Sequence, residues 1–326
     1  MAGGKAWGLT LAVLSSVCFG ASGPFGKALI GAGLEPLQAV WVRVTGAALV
    51  LVPLVAVVRG RAALAGARVH WPALGAYGAV AVAACQGLYF VAASRLPVGV
   101  AILLEFTGPV LVLVWIRLVR RTRVPRAAAV GVGLAMIGLA CVVEIWSGIG
   151  LDPIGLAAGL GAAACQAAYF LLVERMTGRV DPLVMTAAGM VVGSALLTVA
   201  AAPWALPWEV LAQRVAVGDH AAPGWTLAVW IVLVSTVLAY LTGVAAVQRL
   251  SAPVAGAICY IEAVAATVIA WAALGERLTV AQLLGGVTVL AGAFVAQRAA
   301  AAPRSPEPRA EGPDPVRAAA AARAAG

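Results

Sequence analysis

Apolar residues in this chain come in long continuous runs rather than in alternation with polar ones. Ten runs stand out: Trp7 to Ile30, Pro36 to Val58, Trp71 to Ala93, Val98 to Val119, Arg126 to Ile145, Pro153 to Val173, Asp181 to Pro203, Trp225 to Gln248, Pro253 to Leu274 and Thr279 to Arg298. A membrane-spanning helix needs about 20 apolar residues. The strands of a transmembrane barrel would alternate lipid-facing and lumen-facing positions, and no such period is present. The pattern therefore predicts an all-α integral membrane protein with ten transmembrane helices. Connections are short except for Trp204 to Gly224, and Ala300 to Gly326, rich in Ala, Pro and Arg, reads as a disordered tail. The first run starts like a signal peptide but continues past Val17–Cys18, so it is expected to be a retained helix.

Composition agrees. Hydrophobic residues make up 63% of the 326 and charged residues 11%. A soluble domain is usually about 45–50% apolar, and a globule this apolar lacks the polar surface to cover itself. A soluble enzyme, a disordered protein and a disulfide-stapled secreted domain are excluded. The net charge of +9 would suggest nucleic acid in a soluble protein. Here its placement matters more. With a cytoplasmic N-terminus, 17 of the 22 Lys and Arg residues fall on the inside, three outside (Arg95, Arg214, Arg277) and two within spans (Lys27, Arg43). Positive charge marks the cytoplasmic side, so both termini are expected there. The basic loop Arg117 to Arg126 then serves topology and anionic lipid, not nucleic acid. Cys18, Cys85, Cys141, Cys165 and Cys259 lie inside apolar runs, and His70 and His220 sit in separate loops. They form no ligand set, so neither a metal nor a cofactor is expected.

The chain also repeats itself. At an offset of 154 residues, Trp71 matches Trp225, Arg95–Leu96 matches Arg249–Leu250, Gly131 matches Gly285 and Gly138 matches Gly292, without a gap. Earlier, Glu35-Pro36-Leu37 matches Asp181-Pro182-Leu183 at offset 146, and the eight-residue difference is the longer loop before Trp225. Each half holds five spans, an odd number, so the halves insert in opposite senses. The expected organisation is residues 1–148 as the first repeat, 149–298 as the inverted second, and 299–326 as the tail. Inverted repeats of this kind are the signature of secondary transporters with a site near the bilayer midplane.

Charge inside lipid costs about 2.5–3.5 kcal/mol on insertion scales, so each such residue needs a reason. Arg43 and Glu105 both fall seven residues from the outer ends of their spans, about 10 Å deep. They are placed to meet as an ion pair. Such a pair either ties two spans together or forms an outer gate, or a clamp in which Arg43 takes the carboxylate of a zwitterionic solute and Glu105 its amine. Lys27, near the outer end of span 1, is expected to snorkel to the interface. Glu262 lies near the bilayer centre without a basic neighbour in the linear reading, a placement suited either to carrying protons or to a protonated, hydrogen-bonded structural role. Gln86 and Gln166 sit mid-span, as pathway groups or as interhelical hydrogen bonders. Pro24 in span 1, and Gly108 and Pro109 in span 4, break helices where freed backbone groups need a cavity or a neighbour, so they are candidate kink or gating positions. The GxxxG spacings Gly155–Gly159 and Gly189–Gly193 read as helix packing. Thr279 and Gln282 form a capping box for the last span.

Five-plus-five spans with Leu274-Gly275-Glu276-Arg277-Leu278 before the last one resemble the EamA-type branch of the drug/metabolite transporter superfamily. Leu96-Pro97-x-Gly99-x-Ala101-x-x-Leu104-Glu105-Phe106-Thr107-Gly108-Pro109 is similar to its threonine/homoserine exporter group. The resemblance spans residues 7–298 and implies a ten-helix bundle with a central cavity, at which Glu105 to Pro109, Thr107 included, would lie. It implies export of small metabolites, often amino acids, across a bacterial inner membrane. Phe19–Gly20 stands where many members have Trp-Gly, Glu262–Ala263 where many have Glu-Pro, and Thr122 where the Leu-Gly-Glu glutamate would repeat. The expected function is a secondary exporter of small polar metabolites such as amino acids, working by alternating access with proton coupling. The alternatives are an importer or facilitator of another metabolite or drug and, in different classes, a non-transporting scaffold or a membrane-embedded enzyme. The expected partners are membrane lipid, a small solute and protons.

Overall fold

A computed structural model describes residues 2–60, 68–119, 121, 125–143, 151–176, 178–247, 249–250 and 260–301. Cys259, the first residues of span 9 and the tail beyond residue 301 lie outside them. Among the described residues seven helices are long and apolar enough to cross a membrane, and three shorter apolar ones complete the set of ten. Span 1 comprises Ala2–Gly20 and Ser22–Gly31, span 2 Pro36–Arg59, and span 3 Trp71–Arg95. Span 4 is Val98–Glu105 followed by Gly108–Leu118, span 5 Arg126–Val143, span 6 Pro153–Met176 and span 7 Pro182–Ala201. Span 8 starts at Gly224, the described part of span 9 is Ile261–Leu274, and span 10 is Val280–Ala301.

The helix starts follow local chemistry. Glu35 and Gln38 form a reciprocal capping box ahead of span 2, and the Asp181 carboxylate accepts the Leu183 amide at 2.9 Å ahead of span 7. These are the repeat-matched positions noted in the sequence. The Thr279–Gln282 box also forms, with bonds of 3.0 and 3.1 Å. Before span 6, Asp152 accepts the Gly155 amide at 2.7 Å and pairs with Arg95 at 3.3 Å. The amide bond first, and the guanidinium second, hold its carboxyl below the usual range.

The expected breaks are present. Span 1 is interrupted at Ala21, and span 4 between Glu105 and Gly108. Pro24 and Pro109 have no N–H to give the carbonyls of Gly20 and Glu105, so neither helix can run through. Two further irregularities were not foreseen. Span 3 widens to a π-helix over Gly78–Ala84, and span 8 does so over Leu233–Leu238. The two stretches are equivalent at the 154-residue offset.

Packing follows a two-fold pattern. Span 1 lies against spans 8 and 9, as span 6 lies against spans 3 and 4; span 2 pairs with span 7, and span 5 with span 10. Lipid offers helices no hydrophobic drive to associate, so close approach of small residues holds such seams. Between spans 5 and 10 the repeat-matched glycines do this. A Cβ at Gly285 would lie 2.7 Å from both Cys141 Cβ and Gly138 O, and one at Gly292 would lie 2.6 Å from Gly131 O. Gly285→Val is therefore expected to cost about 3 kcal/mol or more by overpacking, read as a lower Tm in detergent. Gly133→Ala, with nothing within 4 Å of the added methyl, is the neutral control. The GxxxG pairs also pack: Gly155 and Gly159 face Leu96 and Leu104, while Gly189 and Gly193 face Tyr77 and Val82.

The long connection before span 8 is not featureless. Pro203–Ala205 and Glu209–Ala212 form short helical turns, and strands β1 (Arg214–Val217) and β2 (His220–Pro223) form an antiparallel hairpin, the one sheet among the described residues. Register runs from Arg214 opposite Pro223 to Val217 opposite His220. The two-residue turn Gly218–Asp219 supplies the positive φ of +59° at Gly218. Val215 is buried, and Gly218 packs on the carbonyl of Ala273 at the end of span 9. Trp204, Trp208 and Trp225 surround the connection and stay exposed, as an interfacial belt would. This face is the hairpin end of the bundle.

Candidate functional site

The intramembrane polar residues gather midway along the bundle, but not with the partners expected. Arg43 is 3% exposed. Its Nε donates to Thr236 Oγ1 at 2.9 Å, its Nη1 donates to Gln86 Oε1 at 2.8 Å, and its guanidinium carbon lies 5.8 Å from the centre of the Phe90 ring. Glu105 instead accepts on Oε1 from the Cys85 thiol at 3.5 Å and from Gln166 Nε2 at 3.4 Å. The expected Arg43–Glu105 ion pair does not form. The physical reason is that span 3 stands between them, with its adjacent Cys85 and Gln86 turned to one partner each.

A string of contacts results. It runs from Thr236 on span 8 through Arg43 on span 2, Gln86 and Cys85 on span 3 and Glu105 on span 4 to Gln166 on span 6. Both repeats contribute. The π-turn of span 8 helps to place Thr236, whose hydroxyl donates to the carbonyl of Ile231, five residues back, at 2.8 Å. That leaves its oxygen free to accept from Arg43. Gly108 gives Gln166 room: a Cβ there would lie 2.5 Å from Gln166 Oε1. Thr107 turns its hydroxyl back to Leu104 O at 2.7 Å, so its donor is spent on its own helix.

Glu262 lies half-buried on span 9, and its backbone carbonyl touches Gly20 of the broken first span. It makes no hydrogen bond or ion pair among the described residues. It does lie within electrostatic reach of both Arg43 and Glu105. Three further buried polar atoms have no partner among the described residues: Tyr89 Oη, Gln166 Oε1 and Ser235 Oγ. Tyr89 senses the charges of Glu105, Glu262 and Arg43, Ser235 adjoins Thr236, and Gln166 holds Glu105. Buried polar groups are normally paired, so these three open valences, in the same polar region as a guanidinium and two carboxylates, set it apart from the rest of the bundle.

Lys27 corrects a second expectation. It does not snorkel. Its ammonium pairs with Glu276 at 2.7 Å and donates to Leu96 O at 2.7 Å, while Glu276 Oε2 accepts the Val98 amide at 2.7 Å. Lys27 is deep enough in the bundle that a carboxylate on the 275–279 loop is nearer than open water. This latch joins span 1, the turn between spans 3 and 4, and the start of span 10, tying one repeat to the other at the hairpin end.

Sequence reasoning brought Arg43, Gln86, Glu105, Gln166 and Glu262 into view and missed Thr236, Tyr89, Ser235 and the role of Glu276. Ser235–Thr236 was detectable as the lone polar pair in an otherwise apolar stretch of span 8. Glu276 stood within the Leu-Gly-Glu run, but nothing in the linear sequence named its partner.

Known proteins bear on this arrangement. A profile described as the EamA-like transporter family matches residues 6–144 and again 153–297. The threonine/homoserine exporter RhtA of Escherichia coli (strain K12) is 28% identical over 210 residues, covering 63% of this chain and 64% of the exporter. The exporter of the same name from Salmonella typhimurium (strain SL1344) is 29% identical over the same shares. The chain thus aligns with under two thirds of the length of these relatives. A solved crystal structure superposes with a TM-score of 0.56 at 19% identity, over 91% of this chain and 97% of that one, which is a likeness of fold.

Proposed function

The chain belongs to the EamA-like transporter family, and on that footing we propose that this membrane transporter exports small polar metabolites, amino acids among them, by alternating access with proton coupling. The observation that carries the reading is Arg43. It is a buried guanidinium whose hydrogen-bond partners, Thr236 and Gln86, are neutral, so its charge and its remaining N–H groups are available to an anion. A solute carboxylate would sit there, and the solute ammonium toward Glu105. The similar exporters, named for threonine and homoserine, fit a zwitterion of this size.

Glu262 is the proposed proton carrier, since a carboxyl without a hydrogen-bonded partner among the described residues can exchange its proton as solute arrives and leaves. Moving one charge through 100 mV is worth about 2.3 kcal/mol, enough to drive such a cycle. The positive-inside bias supports an orientation in a bacterial inner membrane with both termini cytoplasmic and the hairpin end outside. The Lys27–Glu276 latch then closes the outer mouth while solute loads from within.

Counterflow of labelled amino acids in proteoliposomes tests the assignment. Exchange of at least one amino acid, strengthened by a pH gradient, is expected. Absence of exchange across a metabolite panel would overturn it. Glu262→Gln is expected to keep pH-independent exchange and lose gradient-driven flux, and wild-type coupling in that variant would remove the proton role. A facilitator would show exchange with no response to the gradient in the unaltered protein.

A further inference from the structure

Beside the latch lies a crevice of about 500 Å³ between spans 4, 9 and 10. Its walls are apolar, with Val268, Trp271, Leu278 and Leu283 among them. Val268, Trp271 and Leu283 are 53%, 59% and 50% exposed. In a ten-span bundle such residues face acyl chains. The crevice is therefore entered from the bilayer and not from the solute pathway.

Its rim is polar and carries Glu276 and Arg277. These neighbours differ in what they have left to offer. The Glu276 carboxylate is saturated by Lys27 and the Val98 amide. Arg277 is exposed and has no ion pair or hydrogen bond among the described residues. The other described cations of this end are engaged: Lys27 pairs with Glu276, Arg95 pairs with Asp152 at 3.3 Å, and Arg214 donates to Ala221 O at 2.8 Å. Lys27, Glu276 and Arg277 together leave one uncompensated positive charge at the mouth of an apolar slot. An amphipathic Trp stands one helical turn deeper, the arrangement that anchors at the headgroup level. The volume lies within the range of small-ligand sites, about 300–1,000 Å³.

We propose that this crevice is a binding site for an anionic phospholipid, with its phosphate on Arg277 and an acyl chain along Val268, Trp271 and Leu283. The lipid would lie against the loop that carries Glu276, so its headgroup and the latch share one turn of chain. Charge complementarity selects the headgroup, and the lipid-facing opening selects the chain. The site thus ties the state of the latch to the charge of the surrounding leaflet.

Native mass spectrometry of the full chain, released from nanodiscs of phosphatidylglycerol or phosphatidylcholine, tests this. Phosphatidylglycerol is expected to be retained about fivefold better, the worth of one cation beside an anionic headgroup. Arg277→Gln is expected to erase the preference. Val268→Trp, which fills the slot and leaves the rim charge in place, is expected to lower retention of both lipids. Equal retention of the two lipids by the unaltered protein, or a preference that survives Arg277→Gln, would overturn the proposal. So would displacement by soluble glycerol phosphate at concentrations matching the lipid, because the site would then bind an anion without needing a chain.

Discussion

Arg43→Lys is expected to lower amino-acid counterflow by about 100-fold while the protein still folds and inserts. Lysine keeps the charge but not the fork. An ammonium at this position cannot donate at once to Thr236 and Gln86 and still present a flat pair of N–H groups to a carboxylate. Each charge-assisted hydrogen bond lost is worth about 1.5–3 kcal/mol, and one or two of them give a loss of that size. Arg43→Gln is expected to fall further, since it also leaves Glu105 and Glu262 without a counter-charge. Flux should be normalised to protein that elutes as a single species, with Tm recorded alongside. A purely structural Arg43 would show Tm and flux falling together, and near-normal flux in the lysine variant would remove it from the site.

The latch carries the second large effect. Lys27→Met leaves the Glu276 carboxylate on the Val98 amide alone, with no ammonium to balance it. Breaking a fully buried pair costs about 3–5 kcal/mol. The side chains here are 25% and 17% exposed, so roughly 2 kcal/mol is the expected scale once water is allowed its share. If the latch closes the outer mouth as proposed, that penalty falls on the closed mouth and not on the bundle as a whole. A cysteine placed at Tyr89, which lies within electrostatic reach of both Arg43 and Glu276, is therefore expected to react roughly thirtyfold faster with a membrane-impermeant thiol reagent in the Lys27→Met background. The exchanged pair, Lys27→Glu with Glu276→Lys, is not expected to restore protection. A carboxylate at 27 cannot donate to Leu96 O, and an ammonium at 276 cannot accept the Val98 amide. Full rescue by the exchange would reduce the latch to simple charge attraction.

How far the chain was legible follows from the range over which each signal acts. Spans, breaks at Pro24 and Pro109, and the Thr279–Gln282 cap depend on neighbours in sequence, and they appear where the pattern puts them. The glycines at 131, 138, 285 and 292 were visible as a repeat. Their service as a seam needed only the inference that equivalent helices meet across the axis. Side-chain partners were less accessible. Arg43 and Glu105 have matching depths, but depth is one coordinate of three, and the azimuth of span 3 sends them to different partners. Lys27 was misjudged because a linear reading measures distance to water and not to a carboxylate 249 positions later. The hairpin was signalled by Gly218–Asp219 between two short apolar runs, a cue masked by the expectation of a purely helical chain.

The paired π-turns have an implication for ancestry. A π-turn is a helix carrying one residue too many, and it occupies the same place in span 3 and in span 8. Two independent insertions at matching sites are less economical than one that preceded duplication of the five-span gene. After the copies diverged, the defect acquired separate uses. In the first half it packs as Tyr77, Gly78 and Val82 against the glycines of span 7. In the second it holds Thr236 against Arg43. An inherited irregularity has thus become a scaffold joint in one copy and the support of a buried guanidinium in the other.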